Sequence, residues 1–324
     1  MMIELPRNPI GHSSTRVSAL GLGCAFLGQL LEPGSDREDG DAEAAEVVSG
    51  LPGSGVNYVD AARLYQKGDC ERRLGRALRG LSAAERAESV ISTKAGREPD
   101  GVKDFDGGFV QRSVDRSLRL LGLEYIDILY LHDPSCDNHM ENIFASGGAL
   151  EALEALKSEG VIGAIGLGVQ NHRFQQTAID SGRFDVVLLP YDFNPVRNSS
   201  AGLIDAAAAK GIGVIIASPY ASGLLAGIDP REAVERRKVE PADAARAISI
   251  WSWCRERELD TGVLSMQYCL RKAGVASILV GPRTVGEWDA NRRHATTEVP
   301  GEVMEEFLSF LESLPPGAPG GERG

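Results

Sequence analysis

The sequence predicts a single (β/α)₈ barrel, in which eight parallel strands alternate with helices. Eight short apolar runs recur along the chain, and each is followed by a longer segment with helical spacing. The length of 324 residues fits such a barrel, at roughly 250 residues, with insertions. A doubly wound open sheet is the alternative, but no G-x-G-x-x-G motif opens the first helix, as that fold usually requires.

The eight apolar runs predict the barrel strands. Most are continuously apolar rather than alternating, which is typical of strands buried on both faces of a parallel sheet. The predicted strands are Ser18–Leu22, Val56–Asp60, Ser89–Lys94, Ile126–Leu131, Val161–Leu167, Asp185–Leu189, Ile212–Ala217 and Ser277–Val280.

The segments between these runs have the apolar spacing of helices. In Gly108–Leu121, valines and leucines recur at i, i+4, i+8 and i+11, which places them on one helix face. Gly148–Glu159 carries a similar leucine pattern and is followed by Gly160, a typical helix stop. The alanine-rich segment Ser200–Lys210 is also followed by a glycine.

Several segments lie outside the alternation. Met1–Arg16 predicts a small hairpin ahead of the barrel, and further helices are expected towards the C-terminus, where Trp251 and Trp253 pack a peripheral helix. We assign residues 1–314 to the barrel domain and residues 315–324 to a flexible tail rich in Pro and Gly. Three irregular stretches follow strand ends, the last long enough for a lid: Glu32–Asp41, Glu98–Gly108 and Pro219–Pro241.

Composition and charge exclude several classes of function. Asp plus Glu outnumber Lys plus Arg by 46 to 34, a net charge of −12, which argues against nucleic-acid binding and against a basic membrane-binding face. No apolar run reaches the ~18 residues of a membrane helix, and no secretory signal is visible. Five scattered cysteines without a CxxC pair predict reduced thiols in a cytoplasmic protein without a metal centre.

Four ionisable residues follow the early strands and are the candidate catalytic groups. Asp60, Lys94 and His132 come at or directly after the ends of three predicted strands, and Tyr65 follows Asp60 by five residues. In a barrel, the C-terminal ends of the strands form the face that carries the active site. We therefore expect these four side chains to lie close together.

Their chemistry indicates proton transfer by an activated phenol. A free tyrosine has a pKa of ~10 and is a poor base near neutral pH. We expect the ammonium of Lys94 to lower the pKa of Tyr65, Asp60 to hold Lys94 charged, and His132 to orient the substrate oxygen. The sequence contains no metal-ligand cluster and no Ser-His-Asp or Cys-His pattern, so it gives no support to a hydrolytic mechanism.

Sequence motifs over nearly the whole chain resemble those of aldo-keto reductases. The spacing from Tyr65 to Glu71 and the PYASGLLAG stretch resemble the branch that contains D-threo-aldose 1-dehydrogenase, L-fucose dehydrogenase, L-galactose dehydrogenase and pyridoxal 4-dehydrogenase. The motifs are GLGCAFLG at Gly21–Gly28, VDAARLYQKGDCERRLGRAL at Val59–Leu78, ISTKAGR at Ile91–Arg97, LGLEYIDILYLHDP at Leu121–Pro134, AIGLG at Ala164–Gly168, SPYASGLLAG at Ser218–Gly227 and VGPRTVGEWDAN at Val280–Asn291.

The resemblance implies an enzyme that moves a hydride between NAD(P) and a small polar carbonyl or alcohol. From the branch that it resembles, we expect the reaction to be oxidation at C1 of an aldose such as fucose or galactose. Tyr65 would then be the proton donor or acceptor, Asp60 and Lys94 its tuning pair, and His132 the group that orients the substrate. Two alternatives remain open. One is a lyase in which Lys94 forms a Schiff base, and the other is a non-catalytic nicotinamide-binding subunit similar to potassium-channel β subunits.

The resemblance also implies a set of cofactor contacts. The amide that binds the nicotinamide carboxamide is either Gln170 or Asn171. The stacking aromatic of the family is replaced by Ala217, and Tyr191 is the substitute. The loop that covers the pyrophosphate, where backbone N–H groups supply hydrogen bonds, matches Ser218, Gly223, Leu224 and Leu225.

The choice between NAD and NADP depends on residues after the eighth strand. Gly281 and Glu287 stand where NADP-binding relatives carry basic residues, and Asn291 matches an adenine-contacting Asn. A carboxylate repels the 2′-phosphate of NADP but accepts a hydrogen bond from a ribose hydroxyl, which favours NAD. Two readings compete with this: Thr284 and Glu287 also form a helix capping box, and Arg283 could still hold a phosphate.

Overall fold

The computed structural model describes residues 4–31 and 34–321. Eight parallel strands close into a barrel in the order β10-β3-β4-β5-β6-β7-β8-β9. The predicted (β/α)₈ barrel is therefore confirmed, and the open-sheet alternative is wrong. The barrel strands are β3 Leu20–Gly23, β4 Tyr58–Asp60, β5 Val90–Ala95, β6 Ile126–His132, β7 Ile162–Gly168, β8 Val186–Pro190, β9 Gly213–Ala217 and β10 Val275–Val280.

The predicted N-terminal hairpin is present. Its strands β1 Arg7–Pro9 and β2 Arg16–Ser18 pair in antiparallel fashion, whereas Met1–Ile3 lie outside the described residues. The Asn8 amide donates to the Ala276 carbonyl at 2.8 Å, at the start of β10. The hairpin is thus fixed at the N-terminal end of the barrel, opposite the face where the strands end.

Thirteen α-helices are found in the described part of the chain, and they include the predicted C-terminal ones. The helices are α1 Arg37–Ser49, α2 Cys70–Leu78, α3 Ala83–Glu88, α4 Gly107–Leu121, α5 Asp137–Phe144, α6 Ala149–Ser158, α7 His172–Ser181, α8 Ala201–Ala209, α9 Pro230–Arg236, α10 Pro241–Glu256, α11 Thr261–Leu270, α12 Val285–Thr296 and α13 Gly301–Ser313.

Helix α4 illustrates how the sequence determines the outer layer. The carboxylate of Asp106 accepts bonds from the backbone N–H groups of Gly108 and Phe109 at 3.0 and 3.2 Å, which begins the helix. Gly122 ends it in the left-handed conformation, with φ of 69°. Val110 and Val114 are fully buried, and each such side chain stabilises the fold by roughly 1.5–3 kcal/mol.

Two predicted irregular stretches contain helices. In Pro219–Pro241, helix α9 begins after Asp229, whose side chain accepts from the backbone of Arg231, and Pro230 occupies the first turn. In Glu32–Asp41, helix α1 begins at Arg37, and the first two residues lie outside the described residues. The expectation of irregular structure was wrong there because capping residues start helices within acidic or proline-containing segments.

Residues 315–321 lie against the barrel. The backbone N–H of Ala318 donates to Asp243 at 2.8 Å, and that of Gly321 donates to Asp192 at 3.1 Å. The flexibility predicted for residues 315–324 and the domain boundary at 314 stay predictions, with 322–324 outside the described residues. No helix in the described part of the chain combines the length and apolar character needed to span a bilayer.

Candidate active site

The structure brings the four predicted catalytic side chains together at the C-terminal mouth of the barrel. Asp60 and His132 end strands β4 and β6, Lys94 lies near the end of β5, and Tyr65 opens a 3₁₀ turn after β4. The Nζ atom of Lys94 lies 4.8 Å from the centroid of the Tyr65 ring. The rings of Tyr65 and His132 meet edge to face, with centroids 5.8 Å apart.

Lys94 and Asp60 form a buried ion pair. Their Nζ and Oδ2 atoms are 2.5 Å apart, and the residues are 1% and 2% exposed. Nζ also donates to the carbonyl of Ala61 at 2.8 Å. A buried charge needs such partners to offset its desolvation, so the lysine is held as an ammonium, a form that is not nucleophilic.

The Tyr65 phenol departs from the expectation. Burial raises its pKa well above the ordinary value, and the negative charge of Asp60 raises the pKa further. The net lowering of the pKa that the sequence predicted is therefore wrong for this structure: the ammonium of Lys94, which faces the ring, favours the phenolate, but burial and Asp60 outweigh it. The phenol is consequently neutral at physiological pH and suited to donate a proton.

His132 is also neutral. It is 5% exposed, and burial lowers its pKa to about 3. Its Nε2 atom lies 3.5 Å from Oδ2 of Asp133, while its Nδ1 atom is buried without a hydrogen-bond partner. The neighbouring carboxylate favours the tautomer with the proton on Nε2, so this nitrogen is a hydrogen-bond donor.

A chain of three buried hydroxyls, which sequence reasoning missed, leads to Asp60. The Ser92 hydroxyl is 2.6 Å from Oδ1 of Asp60, the Tyr58 hydroxyl is 3.1 Å from Ser92, and the Tyr130 hydroxyl is 3.1 Å from Tyr58. All three residues are fully buried. A carboxylate only accepts hydrogen bonds, so each hydroxyl donates towards Asp60 and the bonds polarise one another.

A sequence signal could have found this chain. Tyr58 precedes Asp60 by two residues, Ser92 precedes Lys94 by two, and Tyr130 precedes His132 by two. Residues two apart on a strand face the same side, so each polar residue accompanies a catalytic candidate into the barrel interior. The strand register, which pairs Asp60 with Ser92 and Lys94 with Tyr130, completes the arrangement.

A second buried network supports the segment that carries Tyr65. The Thr93 hydroxyl donates to Glu71 at 2.6 Å, and Arg63 bridges Glu71 and Glu98 with distances of 3.3 and 3.0 Å. Burial raises the pKa of Glu71. Because Arg63 and Glu71 flank Tyr65 in sequence, these bonds tie its turn to strand β5.

The residues predicted to contact the nicotinamide differ in their positions: two line a cavity and one caps a helix. Gln170 and Tyr191 line a cavity of about 280 Å³, and Tyr191 is 46% exposed in a left-handed backbone conformation, with φ of 67°. The Gln170 amide lies 3.4 Å from both carboxylate oxygens of Asp192. The side-chain oxygen of Asn171 instead caps helix α7, where it accepts from Arg173 and the following residue.

The predicted pyrophosphate loop differs in detail from the expectation. The backbone N–H groups of Gly223 and Leu225 both donate to the carbonyl of Tyr220, at 2.9 and 3.0 Å, and that of Leu224 donates to Ala221 at 3.4 Å. In this structure the loop therefore satisfies these three N–H groups itself, and its role in covering a pyrophosphate stays a prediction. Ser218, next to strand β9, is left-handed, with φ of 66°.

The remaining candidates lie after strand β10. The Arg283 guanidinium stacks 4.8 Å from the centroid of the exposed Phe26 ring, and a Cβ at Gly281 would contact this ring at 3.2 Å. Glu287 accepts from the backbone N–H of Arg283 at 2.6 Å, and Thr284 caps helix α12. The predicted capping box is formed only in part, because Thr284 accepts from the N–H of Glu287 at 3.2 Å but Glu287 bonds to Arg283 rather than to the N–H of Thr284. Asn291 is buried on the same helix.

Comparison with known proteins agrees with this geometry. The model of the aldo/keto reductase family matches residues 19–312. The chain belongs to the aldo-keto reductase family. It is 32% identical to pyridoxal 4-dehydrogenase of Microbacterium luteolum, over 95% of this chain and 94% of that protein. It is 29% identical to L-galactose dehydrogenase of Arabidopsis thaliana, over 97% and 95%.

A solved structure supports the fold of this aldo-keto reductase. The holo form of the aldo-keto reductase AKR11C1 from Bacillus halodurans superposes with a TM-score of 0.74 at 23% identity, covering 95% of this chain and 96% of that one. Family membership makes the protein an NAD(P)-dependent oxidoreductase that acts on the carbonyl or alcohol group of small molecules.

The residues present fit a nicotinamide dinucleotide at both of its ends. A side-chain amide and an exposed aromatic ring, those of Gln170 and Tyr191, line the cavity and follow the C-terminal ends of strands β7 and β8. A guanidinium that is 31% exposed, that of Arg283, lies after strand β10 together with Asn291. Amides recognise a carboxamide and guanidinium groups recognise phosphates.

Proposed function

We propose that this aldo-keto reductase is an NAD-dependent dehydrogenase that oxidises aldose-like substrates at C1, with Tyr65 as the general acid and base. The observation that carries the proposal is the contact of Tyr65 with both Lys94 and His132 while Asp60 holds the lysine charged. The L-galactose dehydrogenase among its relatives supports an aldose as the substrate.

The proton chemistry follows from the state of each group. In reduction, the neutral hydroxyl of Tyr65 donates its proton to the substrate oxygen, and Nε2 of His132 donates a hydrogen bond to the same oxygen. The ammonium of Lys94, over the Tyr65 ring, stabilises the phenolate that remains. In oxidation, the phenolate takes the proton from the substrate hydroxyl. The nicotinamide, when bound, supplies or accepts the hydride.

Gln170 is our choice for the carboxamide contact, because the oxygen of Asn171 is already engaged as a helix cap. Tyr191 would contact the nicotinamide ring. Ser218, Gly223, Leu224 and Leu225 would cover the pyrophosphate, and Gly281, Arg283 and Asn291 would hold the adenosine. The negative charge of Glu287 beside Arg283 disfavours a 2′-phosphate, which supports NAD. We place the protein in the cytoplasm, which its five free cysteines support.

The structure gives no support to the two alternatives. Schiff-base formation at Lys94 requires a neutral amine, but the ammonium is paired with Asp60 at 2.5 Å. A non-catalytic nicotinamide-binding subunit would have no need for the complete set of proton-transfer groups that surrounds Tyr65.

Purified protein tests the proposal directly. With NAD or NADP and the aldoses L-fucose and L-galactose, we expect absorbance at 340 nm to rise, and with NADH or NADPH and simple aldehydes we expect it to fall; both changes should be larger with the NAD form of the cofactor. Tyr65→Phe should lower kcat by roughly 10²–10⁴-fold. Tyr125→Phe, at a half-exposed tyrosine before strand β6, is the matched control. Absence of turnover with every substrate and either cofactor would contradict the proposal.

A further inference from the structure

An ion pair that neither gives nor takes a proton in the proposed mechanism lies beside His132. Arg97, two residues beyond strand β5, and Asp133, directly after strand β6, are joined through NH1 and Oδ2 at 2.6 Å. Their side chains are 30% and 33% exposed, so both reach solvent at the barrel mouth. The same oxygen of Asp133 lies 3.5 Å from Nε2 of His132.

Asp133 has a strained backbone and Arg97 has an unpaired buried nitrogen, and close packing alone requires neither feature. Asp133 is held in the left-handed region, with φ of 50°, and its N–H donates to the Gly168 carbonyl at 2.9 Å. Non-glycine residues adopt this conformation at a cost, and such strain clusters at functional sites. The Nε atom of Arg97 is buried without a hydrogen-bond partner.

The spacing of the donor and the acceptor indicates what they can bind. Nε2 of His132 donates to the substrate oxygen at the reacting carbon, and Oδ2 of Asp133 can only accept. These two atoms are 3.5 Å apart. Oxygens on adjacent carbons of an α-hydroxy carbonyl compound are separated by a similar, slightly shorter distance, so one can receive the bond from His132 while the other donates to Asp133.

We propose that Asp133 and Arg97 form a subsite for the hydroxyl group on the carbon next to the reacting carbon. This inference rests on the proposed function and deepens it. The substrate is an uncharged α-hydroxy aldehyde or ketone, or the cyclic hemiacetal of an aldose. Asp133 accepts from the hydroxyl, and Arg97 holds the carboxylate charged and oriented.

Desolvation makes this subsite selective. A substrate that lacks the hydroxyl covers the ion pair with apolar surface and leaves a carboxylate lone pair without water or a partner. Sites built to bind a substrate hydroxyl reject analogues without it by up to 10⁴–10⁵-fold. A phosphate or carboxylate at this position meets the negative charge of Asp133, while the charge of Arg97 is already neutralised.

Three aldehydes, each reduced with NADH as the hydride donor, test the subsite: glyceraldehyde, propanal, and 3-hydroxypropanal, whose hydroxyl is one carbon further away. For the wild type we expect kcat/KM for glyceraldehyde to exceed that for each of the others by roughly 100-fold, mainly through KM. Asp133→Gly tolerates the left-handed backbone and should bring the ratio near one. Asp133→Asn and Arg97→Met should lower it by about 10-fold each.

The control is Arg183→Met, which removes a surface ion pair with Glu154 and should leave the substrate ratio unchanged. The subsite would be overturned if the folded Asp133 variants kept the wild-type ratio of kcat/KM between glyceraldehyde and propanal. It would also be overturned if the wild type had equal kcat/KM values for the two aldehydes. The wild-type comparison stands even if a variant fails to fold. Loss of turnover of all aldehydes and alcohols would instead contradict the proposed function itself.

Discussion

The ammonium of Lys94 lies 2.5 Å from a carboxylate oxygen of Asp60, and both side chains are buried. Removing one partner of such a pair leaves an isolated buried charge, which costs more than the pair contributes. The pair therefore has separable roles in stability and in catalysis, which a double-mutant cycle can distinguish.

Lys94→Met should lower the free energy of unfolding by about 3–5 kcal/mol, because Asp60 loses its counter-charge. Combining it with Asp60→Asn should recover much of this loss, whereas kcat stays low in both variants because the phenolate of Tyr65 is no longer stabilised. Urea denaturation and steady-state kinetics measure the two effects. A double variant as unstable as Lys94→Met alone would show that charge pairing is not the dominant contribution.

The directed hydroxyl chain predicts a graded series of effects on catalysis. Ser92→Ala removes the bond to Asp60 and should lower kcat by roughly 10-fold. Tyr58→Phe should lower it by about 3-fold, and Tyr130→Phe by less, because each is one bond further from the carboxylate.

The matched control for this series is Ser277→Ala, a buried serine of strand β10 whose hydroxyl has no partner. It should leave kcat unchanged. If Tyr130→Phe were as damaging as Ser92→Ala at equal stability, the chain would not act in the order that the hydrogen bonds indicate.

His132 predicts a pH dependence of stability. Its pKa is about 3 in the folded protein, below the ordinary 6.5, so the unfolded chain binds one more proton between these values. Stability should therefore fall as the pH is lowered, by about 1.4 kcal/mol per pH unit from this residue. Urea unfolding of the wild type and of His132→Gln between pH 4 and 7 measures it. The variant should have the shallower slope, and equal slopes would contradict the assignment.

Substitutions of Glu287 test the preference for NAD over NADP. Glu287→Arg removes a carboxylate that bonds to the backbone of Arg283 and adds a cation, so the Kd for NADP should fall by about 10-fold relative to that for NAD. Glu287→Gln keeps an acceptor for the cap but removes the charge, so it is the control and should have an intermediate effect. Equal ratios of the two Kd values in all three proteins would leave Glu287 as a helix cap only.

The sequence predicted the barrel and the clustering of the four candidate catalytic residues well because both depend on local patterns. Continuous apolar runs specify strands buried on both faces, and a polar residue that ends such a run must lie at the mouth. Asp60, Lys94 and His132 were therefore placed correctly, and Tyr65 with them. The Ser92 chain was missed because it depends on the register between three strands.

Two features of the site could not be predicted from the sequence because they concern orientation and solvation. The sequence indicated that a lysine is near Tyr65, but not that it faces the ring or that burial dominates the pKa of the phenol. The glycine in the loop after β9 indicated a tight turn, but not that the N–H of Gly223 would bond to Tyr220. Both depend on three-dimensional packing that a local pattern does not contain.

The attachment of Gly321 to Asp192 has a practical consequence for protein engineering. Asp192 also accepts from Gln170, so an affinity tag fused after the last residue would begin a few residues from the wall of the cavity. Such a tag would interfere with ligand soaking and with immobilisation on a biosensor surface. A tag ahead of the N-terminal hairpin would begin at the opposite end of the barrel and leave the mouth accessible.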